Sequence, residues 1–202
     1  MTKLIAFTVC SIAIAAAVIV WAVGLPGRGG EGKQTKIAKS NKLGGPTSPV
    51  GSEDGISVYF SPGGGCTEAI VRAIADAKQS IFVQAAQFTS PSIARALVSA
   101  HQRGVDVRVI LDRRKDDYDH AQTDRLVDSG LPTFADGKHH TAHNKVILID
   151  HHLVITGSFN FTTESESENA ENLVLIDNKP TVFAAYENNF KDHLSHSKPY
   201  EK

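Results

Sequence analysis

Cysteine is scarce in this sequence, with two residues in 202, so a disulfide framework does not hold the chain together. Cys10 lies inside an apolar N-terminal segment, which leaves Cys66 as the only cysteine of the remaining chain. Small secreted domains that depend on disulfides are dense in cysteine, and this chain is not one of them. We expect Cys66 to cap or pack the first helix rather than to react.

Charged residues are absent between Leu4 and Pro26, where most positions are Ala, Ile or Val. This stretch is long enough to span a bilayer and longer than the usual apolar core of a signal peptide, although Ala22-Val23-Gly24 offers a small-residue cleavage site. We therefore expect residues 1–26 to be a membrane anchor or a signal peptide. Residues 27–53 are rich in Gly, Lys, Pro and Ser, which predicts a flexible linker.

The rest of the chain alternates short apolar runs with stretches of helical periodicity, and it contains no internal repeat. Predicted strands cover 56–60, 81–86, 105–111, 131–134, 145–150, 152–156 and 173–176, and predicted helices cover 67–78, 90–103, 121–129 and 181–194. Two successive strand–helix–strand units favour an α/β fold, in which helices flank both faces of a mixed, mainly parallel sheet. Residues 54–198 have an ordinary length for one such domain.

Five polar residues of the segment 143–160 stand out by type and by spacing. They are His143, Lys145, Asp150, Ser158 and Asn160, the last two within a Gly-Ser-x-Asn cluster. Lysine supplies a positive charge to phosphoryl oxygens, and asparagine and serine supply neutral donors. Histidine attacks phosphorus when neutral and donates a proton when charged. These residue types can cleave a phosphodiester without a metal. The pattern occurs once, so a reaction that needs two such histidines requires a dimer.

The segment between these residues predicts two antiparallel strands with a tight connection, although no Asn-Gly or Asp-Gly pair fixes the turn type. Because alternate strand residues point to one face, His143 and Lys145 share a face. Ser158 and Asn160 do so too if the extended backbone continues that far. Glu171 begins a third strand within reach of the same corner. A carboxylate there can hold an imidazole in one tautomer and support its charged form.

The segment carries the H-x-K-x4-D-x6-G-S-x-N signature of the phospholipase D superfamily, with no departure from it. The downstream Asn-Ala-Glu-Asn and the order of elements resemble the small bacterial endonucleases of that superfamily, which carry one motif per chain. The resemblance extends from about residue 56 to about residue 196 and implies a phospholipase D/nuclease-like fold.

The resemblance also implies residue roles. His143 is the nucleophile that forms a phosphohistidine, and its copy in a second protomer protonates the leaving oxygen. Lys145 and Asn160 of both subunits bind the phosphoryl oxygens, with Ser158 as a further polar contact. Ser158 and Glu171 orient or support the histidine. Asp150, although part of the signature, tends to be structural in this family. No cofactor is implied.

Two further features surround the signature. A local histidine cluster comprises His139, His140, His143, His151 and His152. Zinc needs three or four convergent ligands, and this spacing fits no recognised zinc pattern, so we predict no metal site and place the extra histidines in loops beside the active site. The charged stretch 112–120 is either a solvated loop or a substrate contact through Arg113, Arg114 or Lys115.

Three functions are consistent with the sequence. The first is a non-specific endonuclease that acts as a homodimer on DNA, with RNA as a second substrate. The second is a phospholipase D-type lipid hydrolase, and the third is a non-catalytic nucleic-acid or membrane tether. From Asp54 onward the chain has 15 Lys and Arg against 20 Asp and Glu, a net charge of −5. Long phosphate backbones are usually bound by basic surfaces. The acidic domain therefore predicts weak, salt-sensitive, sequence-independent nucleic-acid binding, or a smaller phosphodiester substrate.

The N-terminal segment bears on substrate and location. An anchor favours a lipid substrate, whereas the lack of an obvious apolar lipid-binding insertion disfavours one. Only Lys3 precedes the apolar run and five basic residues follow it by residue 42, so the positive-inside rule places the domain in the cytoplasm. The endonucleases that the chain resembles are exported. We favour export, either to the periplasm or from the cell, with residues 4–25 as an inner-membrane anchor.

Overall fold

A computed structural model describes residues 48–113 and 120–202. The predicted anchor, most of the predicted linker, and the candidate contacts Arg114 and Lys115 lie outside the described residues. Within these two ranges, no helix is long and apolar enough to cross a membrane.

The described chain forms nine strands and five helices, most of them at the predicted positions. The strands are β1 (Gly51–Glu53), β2 (Ile56–Phe60), β3 (Ser80–Ala85), β4 (Asp106–Asp112), β5 (Thr133–Asp136), β6 (Lys145–Ile149), β7 (Leu153–Gly157), β8 (Asn172–Asp177) and β9 (Lys198–Pro199). The helices are α1 (Cys66–Asp76), α2 (Pro91–Gln102), α3 (Ala121–Asp128), α4 (Thr163–Ser167) and α5 (Pro180–His196). β1, α4 and β9 are too short to leave a periodic signal, and β1 lies within the span predicted as linker.

The strands form one sheet in the order β1-β2-β8-β7-β6-β3-β4-β5-β9. The prediction of a mixed α/β sheet is confirmed, but the expectation that it is mainly parallel is wrong. Only β3–β4 and β4–β5 pair in parallel among the described strands, and the other six pairings are antiparallel. β2 and β3 flank α1 but do not pair, because β8, β7 and β6 lie between them.

Two hydrophobic cores, one on each face of the sheet, confirm that helices cover both sides. The larger core joins α1, α2 and α3 through side chains such as Ile70, Leu97 and Leu126. The smaller core packs Phe183 and Phe190 of α5 against Leu148 and Val154. Strand residues in the centre of the sheet are therefore buried on both faces, which explains the uninterrupted apolar run of β6.

The connection between β6 and β7 comprises residues 150–152, with left-handed backbone at Asp150 (φ 50°) and His151 (φ 61°). Positive φ at both central positions, together with the bond from His152 N to Ile149 O (3.1 Å), identifies a type I′ turn. Aspartate tolerates this conformation better than most residues. The turn thus forms without the usual glycine.

Cys66 begins α1 and is fully buried. Burial raises the pKa of its thiol to about 12, with a smaller contribution from the Glu166 carboxylate. That carboxylate accepts hydrogen bonds from Gly65 N (3.0 Å) and Thr67 N (2.6 Å) and so caps the helix. Cys66 therefore packs the helix as a protonated thiol, as the sequence predicts.

Candidate active site

Four segments of the chain meet at one edge of the sheet. β6 begins at Lys145, β7 ends at Gly157, and β8 begins at Asn172. The segment after β3 joins them, because Ala86 N donates to Asn144 O (2.9 Å), and Thr89 N and Ser90 N both donate to Phe161 O (3.0 Å). These contacts bring the residues on either side of the hairpin, including His143 and Asn160, to the same edge.

His143 and Lys145 are in direct contact. The Lys145 Nζ atom lies 3.3 Å from both Nδ1 and Nε2 of His143 and 3.2 Å from its carbonyl oxygen. An ammonium that bonds one ring nitrogen along its lone pair lies much farther from the other nitrogen. Because the two distances are equal, Lys145 Nζ makes no linear hydrogen bond to either one. The His143 side chain belongs to an exposed residue. Its ring therefore remains accessible to an incoming group while it stays beside a positive charge.

Lys145 is 8% exposed, which is unusual for lysine. Burial lowers the pKa of its ammonium, and the Glu171 carboxylate partly opposes this effect by favouring the charged form. Holding a positive charge here costs folding free energy. A phosphate anion that binds beside the exposed His143 would stabilise the buried positive charge of Lys145.

Ser158 links β7 to the start of β8. Its hydroxyl donates to Glu171 Oε2 at 2.5 Å and accepts from Asn172 N at 3.0 Å. A Cβ atom at Gly157 would lie 2.2 Å from Asn172 O, so only glycine allows this close approach. The Glu171 carboxylate is thereby held by Ser158, with Asn169 Nδ2 3.5 Å from its other oxygen.

Asn160 lies between two fully buried residues, Phe159 and Phe161. That Ser158 and Asn160 share a face stays a prediction. The amide oxygen of Asn160 is buried and has no hydrogen-bond partner within the described ranges. Because a buried polar group is normally paired, Asn160 is arranged for a polar group that the chain itself does not supply.

Asp150, which the signature includes, lies at the opposite end of β6, about 16 Å of strand from Lys145. Its carboxylate accepts hydrogen bonds from the backbone N–H groups of Lys78 (2.7 Å), Gln79 (2.7 Å) and Ser80 (2.9 Å). Burial acts to raise the pKa of this carboxyl, but the three donors outweigh it and the pKa is lowered. Asp150 therefore stabilises the hairpin turn and does not join the other signature residues.

The remaining candidates lie apart from this edge site. Arg113 follows β4 at the same sheet edge, where its side chain lies against Gly137, but two strands separate it from β7. The predicted histidine cluster is dispersed. His152 pairs with Asp177 (2.6 Å) and His151 approaches Glu187 (3.5 Å) at the far end of the hairpin. His139 instead faces Asp136, with His193 and His196 from α5.

Ser61 is a supporting residue that the sequence did not reveal. Its hydroxyl accepts from Glu171 N (3.1 Å) and donates to Asn169 O (2.8 Å). Its own N–H donates to Glu171 O (3.1 Å). A serine after β2, 110 residues before Glu171, carries no local signal, so only the pairing of β2 with β8 brings it here.

The edge site can bind and cleave a phosphodiester. This edge carries an exposed imidazole (His143), a buried cation (Lys145), an amide oxygen without a partner among the described residues (Asn160) and an oriented carboxylate (Glu171). Positive charge and neutral donors stabilise the negative charge that builds on phosphoryl oxygens in the transition state. The only imidazole among the signature residues is His143, so a second proton donor must come from another source.

Comparison with known proteins agrees with this geometry. Residues 70–194 match the family model described as cardiolipin synthase, PLD-like domain. The chain is 39% identical to phospholipase D of Rickettsia prowazekii (strain Madrid E) over 139 residues, which cover 69% of this chain and 68% of that protein. It is 30% identical to mitochondrial cardiolipin hydrolase of Canis lupus familiaris over 135 residues, covering 67% of this chain and 53% of the relative.

Among solved structures, Nuc from Salmonella typhimurium, a phospholipase D family member, superimposes with a TM-score of 0.68 and 36% sequence identity. The match covers 73% of this chain and 98% of Nuc. Nearly the whole of Nuc thus corresponds to the described domain, without a large insertion.

Proposed function

This chain belongs to the phospholipase D superfamily of phosphodiester hydrolases, and from that premise we propose that it is a metal-independent, non-specific endonuclease. In this proposal it acts as a homodimer through a phosphohistidine intermediate. The observation that carries the proposal is the contact between Lys145 and an accessible His143, 3.3 Å from Nζ to either ring nitrogen.

The reaction proceeds in two displacements. Neutral His143 attacks phosphorus, a P–N bond forms, and the P–O bond to the leaving group breaks. The leaving oxygen takes a proton from the protonated His143 of the partner subunit. That imidazole, now neutral, removes a proton from water as the water attacks phosphorus. The P–N bond breaks, and both histidines return to their starting states.

Dimerisation follows from the number of imidazoles. Nucleophile and general acid have to lie on opposite sides of phosphorus, and each chain supplies one signature histidine. A two-fold axis that passes beside His143 would bring two identical histidines to one phosphate. Lys145 and Asn160 of both subunits would then surround its non-bridging oxygens.

DNA, with RNA as a second nucleic-acid substrate, suits an open site at a sheet edge. A polymer backbone can lie across such an edge, whereas a lipid phosphate has to be lifted from a membrane. The domain is acidic, at −5 from Asp54 onward, so affinity depends on contacts near the scissile phosphate and on low salt. Arg113, at the same edge, is the described cation placed to touch a neighbouring phosphate.

Phospholipid hydrolysis is the second candidate. The names of the relatives in Rickettsia prowazekii and Canis lupus familiaris favour it. So does the exposure of Phe60, which is 48% exposed and pairs with Asn172 at the start of β8, next to Glu171. An apolar ring at this position could contact an acyl chain.

A substrate comparison separates the two candidates. The full chain, in mild detergent and EDTA, is assayed for acid-soluble nucleotide from DNA and RNA, for choline from phosphatidylcholine, and for phosphatidic acid from cardiolipin. The endonuclease proposal expects nucleotide release that His143→Ala abolishes. His152→Ala, which removes an exposed histidine at the other end of the hairpin, should retain activity. Lipid cleavage without nucleotide release would reject the endonuclease in favour of the phospholipase.

We further propose that residues 4–25 hold the enzyme at the inner membrane with its domain exported. The length of the uncharged run supports an anchor, and the resemblance to exported endonucleases supports the direction. Protease treatment of intact spheroplasts tests this. Digestion of the domain supports export, and protection until the membrane is opened contradicts it.

A further inference from the structure

Three histidines and one aspartate converge at the edge of the sheet beyond β4. Asp136 ends β5, His139 follows in the next loop, and His193 and His196 lie three residues apart in the last turn of α5. Their nearest ligand atoms all lie within 4.8 Å of one another. Asp136 Oδ2 is 2.9 Å from His139 Nδ1, 2.8 Å from His193 Nδ1 and 3.3 Å from His196 Nε2.

This group is largely shielded from water. The Asp136 side chain is fully buried, and those of His193 and His196 are 11% and 15% exposed. His139 is more open, at 41%. The three rings also contact one another, with centroids 4.8 to 5.4 Å apart. A buried aspartate is rare unless it is paired or coordinates a metal.

Hydrogen bonding alone does not account well for the arrangement. A carboxylate oxygen has two lone pairs, yet three imidazole nitrogens face Asp136 Oδ2. The other oxygen, Oδ1, is already occupied by Lys138 N (3.0 Å). His196 Nδ1 is buried without a hydrogen-bond partner in the described part of the chain, so Nε2, which faces the aspartate, makes the polar contact of that ring. A cation at the centre would accept one lone pair from each of the four groups.

The chemistry of the four groups selects the ion. Imidazoles suit Zn²⁺, Cu²⁺ and Ni²⁺, and one carboxylate with three imidazoles completes a tetrahedral zinc shell. Zinc bonds of roughly 2.0–2.1 Å place tetrahedral ligand atoms about 3.4 Å apart. The three contacts to Asp136 Oδ2, at 2.8, 2.9 and 3.3 Å, are shorter than that value, and the widest separation in the group, 4.8 Å, is longer, so the four side chains have to adjust around the ion. The bond from Lys138 N to the second carboxylate oxygen is typical of contacts that orient a ligand.

We propose that Asp136, His139, His193 and His196 form a structural zinc site that ties the end of α5 to the loop leading into His143. His139 precedes the nucleophile by four residues, and Ala142 N in the same loop donates to Asp112 Oδ2 (3.0 Å). β5 is the third strand from β6 in the sheet, so the two strands lie about 14 Å apart. The ion therefore stabilises the fold and takes no part in phosphodiester cleavage.

Zinc content tests the proposal directly. The full chain, in mild detergent, is incubated with Zn²⁺, dialysed against metal-free buffer and analysed by mass spectrometry for metals. We expect about one zinc per chain. His193→Ala and His196→Ala should lose it. His152→Ala, which removes another histidine that is hydrogen-bonded to an aspartate, should retain it.

Thermal unfolding and cobalt substitution supply independent readouts. A strong zinc chelator should lower Tm by about 5 °C or more, and added Zn²⁺ should restore it. Co²⁺ should give the intense visible bands of a four-coordinate site in the wild-type chain, which keeps the test valid if the alanine variants fail to fold. His139→Ala, in an exposed loop, should weaken these bands without loss of helix content.

A wild-type chain that retains less than a tenth of an equivalent of zinc, with no change of Tm and no four-coordinate cobalt spectrum, overturns the proposal and leaves a hydrogen-bonded cluster. Zinc retained equally by the His193 and His196 variants also overturns it. The zinc measurements are independent of turnover. Circular dichroism in EDTA distinguishes loss of the fold from loss of the chemistry.

Discussion

The Lys145 ammonium lies 3.3 Å from each ring nitrogen of His143. Lys145 is buried, whereas His143 is exposed. No carboxylate of residues 48–113 and 120–202 forms an ion pair with this cation, and the nearby Glu171 is bonded to Ser158. The site therefore holds a positive charge beside an accessible imidazole, which suits an anionic substrate.

Replacement of Lys145 by methionine should abolish turnover and stabilise the fold. The variant loses the charge that binds phosphoryl oxygens, so kcat should fall by at least about 100-fold. It also removes a buried ammonium, so the free energy of unfolding should rise by roughly 1 kcal/mol. Urea unfolding and a turnover assay measure the two effects. Lys78→Met, which changes an exposed lysine, should alter neither.

The stability gain of Lys145→Met should depend on pH. Because the pKa of Lys145 is lowered in the folded state, its cost to stability is present at neutral pH. That cost disappears as pH rises from the folded pKa to the unfolded value of about 10.4. Unfolding at high pH should therefore bring wild type and variant together. A variant less stable than wild type at pH 7 would contradict the cost assigned to the buried charge.

Ser158→Ala should reduce kcat by about tenfold and leave KM nearly unchanged. The substitution frees the Glu171 carboxylate and leaves Asn172 N without its acceptor. Glu171 can then turn toward Lys145, which weakens the positive field at phosphorus. Ser167→Ala removes an exposed hydroxyl that bonds Thr163 O and serves as the control. Equal kinetics for wild type and Ser158→Ala would remove Ser158 from the site.

Asp150→Asn should destabilise the chain by about 2 kcal/mol without lowering kcat per folded molecule. An asparagine cannot accept from all three N–H groups of Lys78, Gln79 and Ser80. The pKa of Asp150 is lowered, so its stabilisation is complete above about pH 4 and is lost as pH falls through the folded pKa. Acid unfolding should show the two proteins converging below pH 4. A kcat loss comparable to that of Lys145→Met would return Asp150 to the catalytic residues.

Mixtures of wild-type and His143→Ala chains test the shared site. If a dimer needs both histidines, an equimolar mixture after subunit exchange should retain about a quarter of the wild-type activity. Independent monomers would retain half. Light scattering across the concentration range of the assay should show that activity follows the dimer. The same mixture with His152→Ala chains should remain fully active.

The strand and helix positions could be predicted because their signals are local. Ser90 and Pro91 mark the start of α2, and the Ser90 hydroxyl does accept from Ile93 N (3.4 Å). The parallel character of the sheet was overestimated because the position of β2 depends on β8, more than 100 residues later. Spacing could not reveal that Ser61 supports Glu171, or that His193 and His196 meet His139. The first contact depends on the pairing of β2 with β8, and the second exists only after α5 packs on the sheet.

Among the signature residues, too, some positions follow from local spacing and one depends on the folded sheet. His143 and Lys145 are close because two-residue spacing on extended chain brings side chains to one face, and the same spacing predicts that Ser158 and Asn160 share a face. The signature alone does not separate Asp150 from the rest. Its separation appears once β6 extends between Lys145 and the turn, so that the two residues lie at opposite ends of a buried strand.

The most direct measurement of the central claim is a search for the covalent intermediate. The full chain is mixed in EDTA with a phosphodiester substrate, quenched with alkali within the first turnover, and digested for mass spectrometry, because phosphohistidine survives alkali and not acid. We predict a phosphoryl adduct on the peptide that contains His143, absent from His143→Ala. Turnover by His143→Ala, or steady turnover by wild type with no adduct on that peptide, would contradict the account.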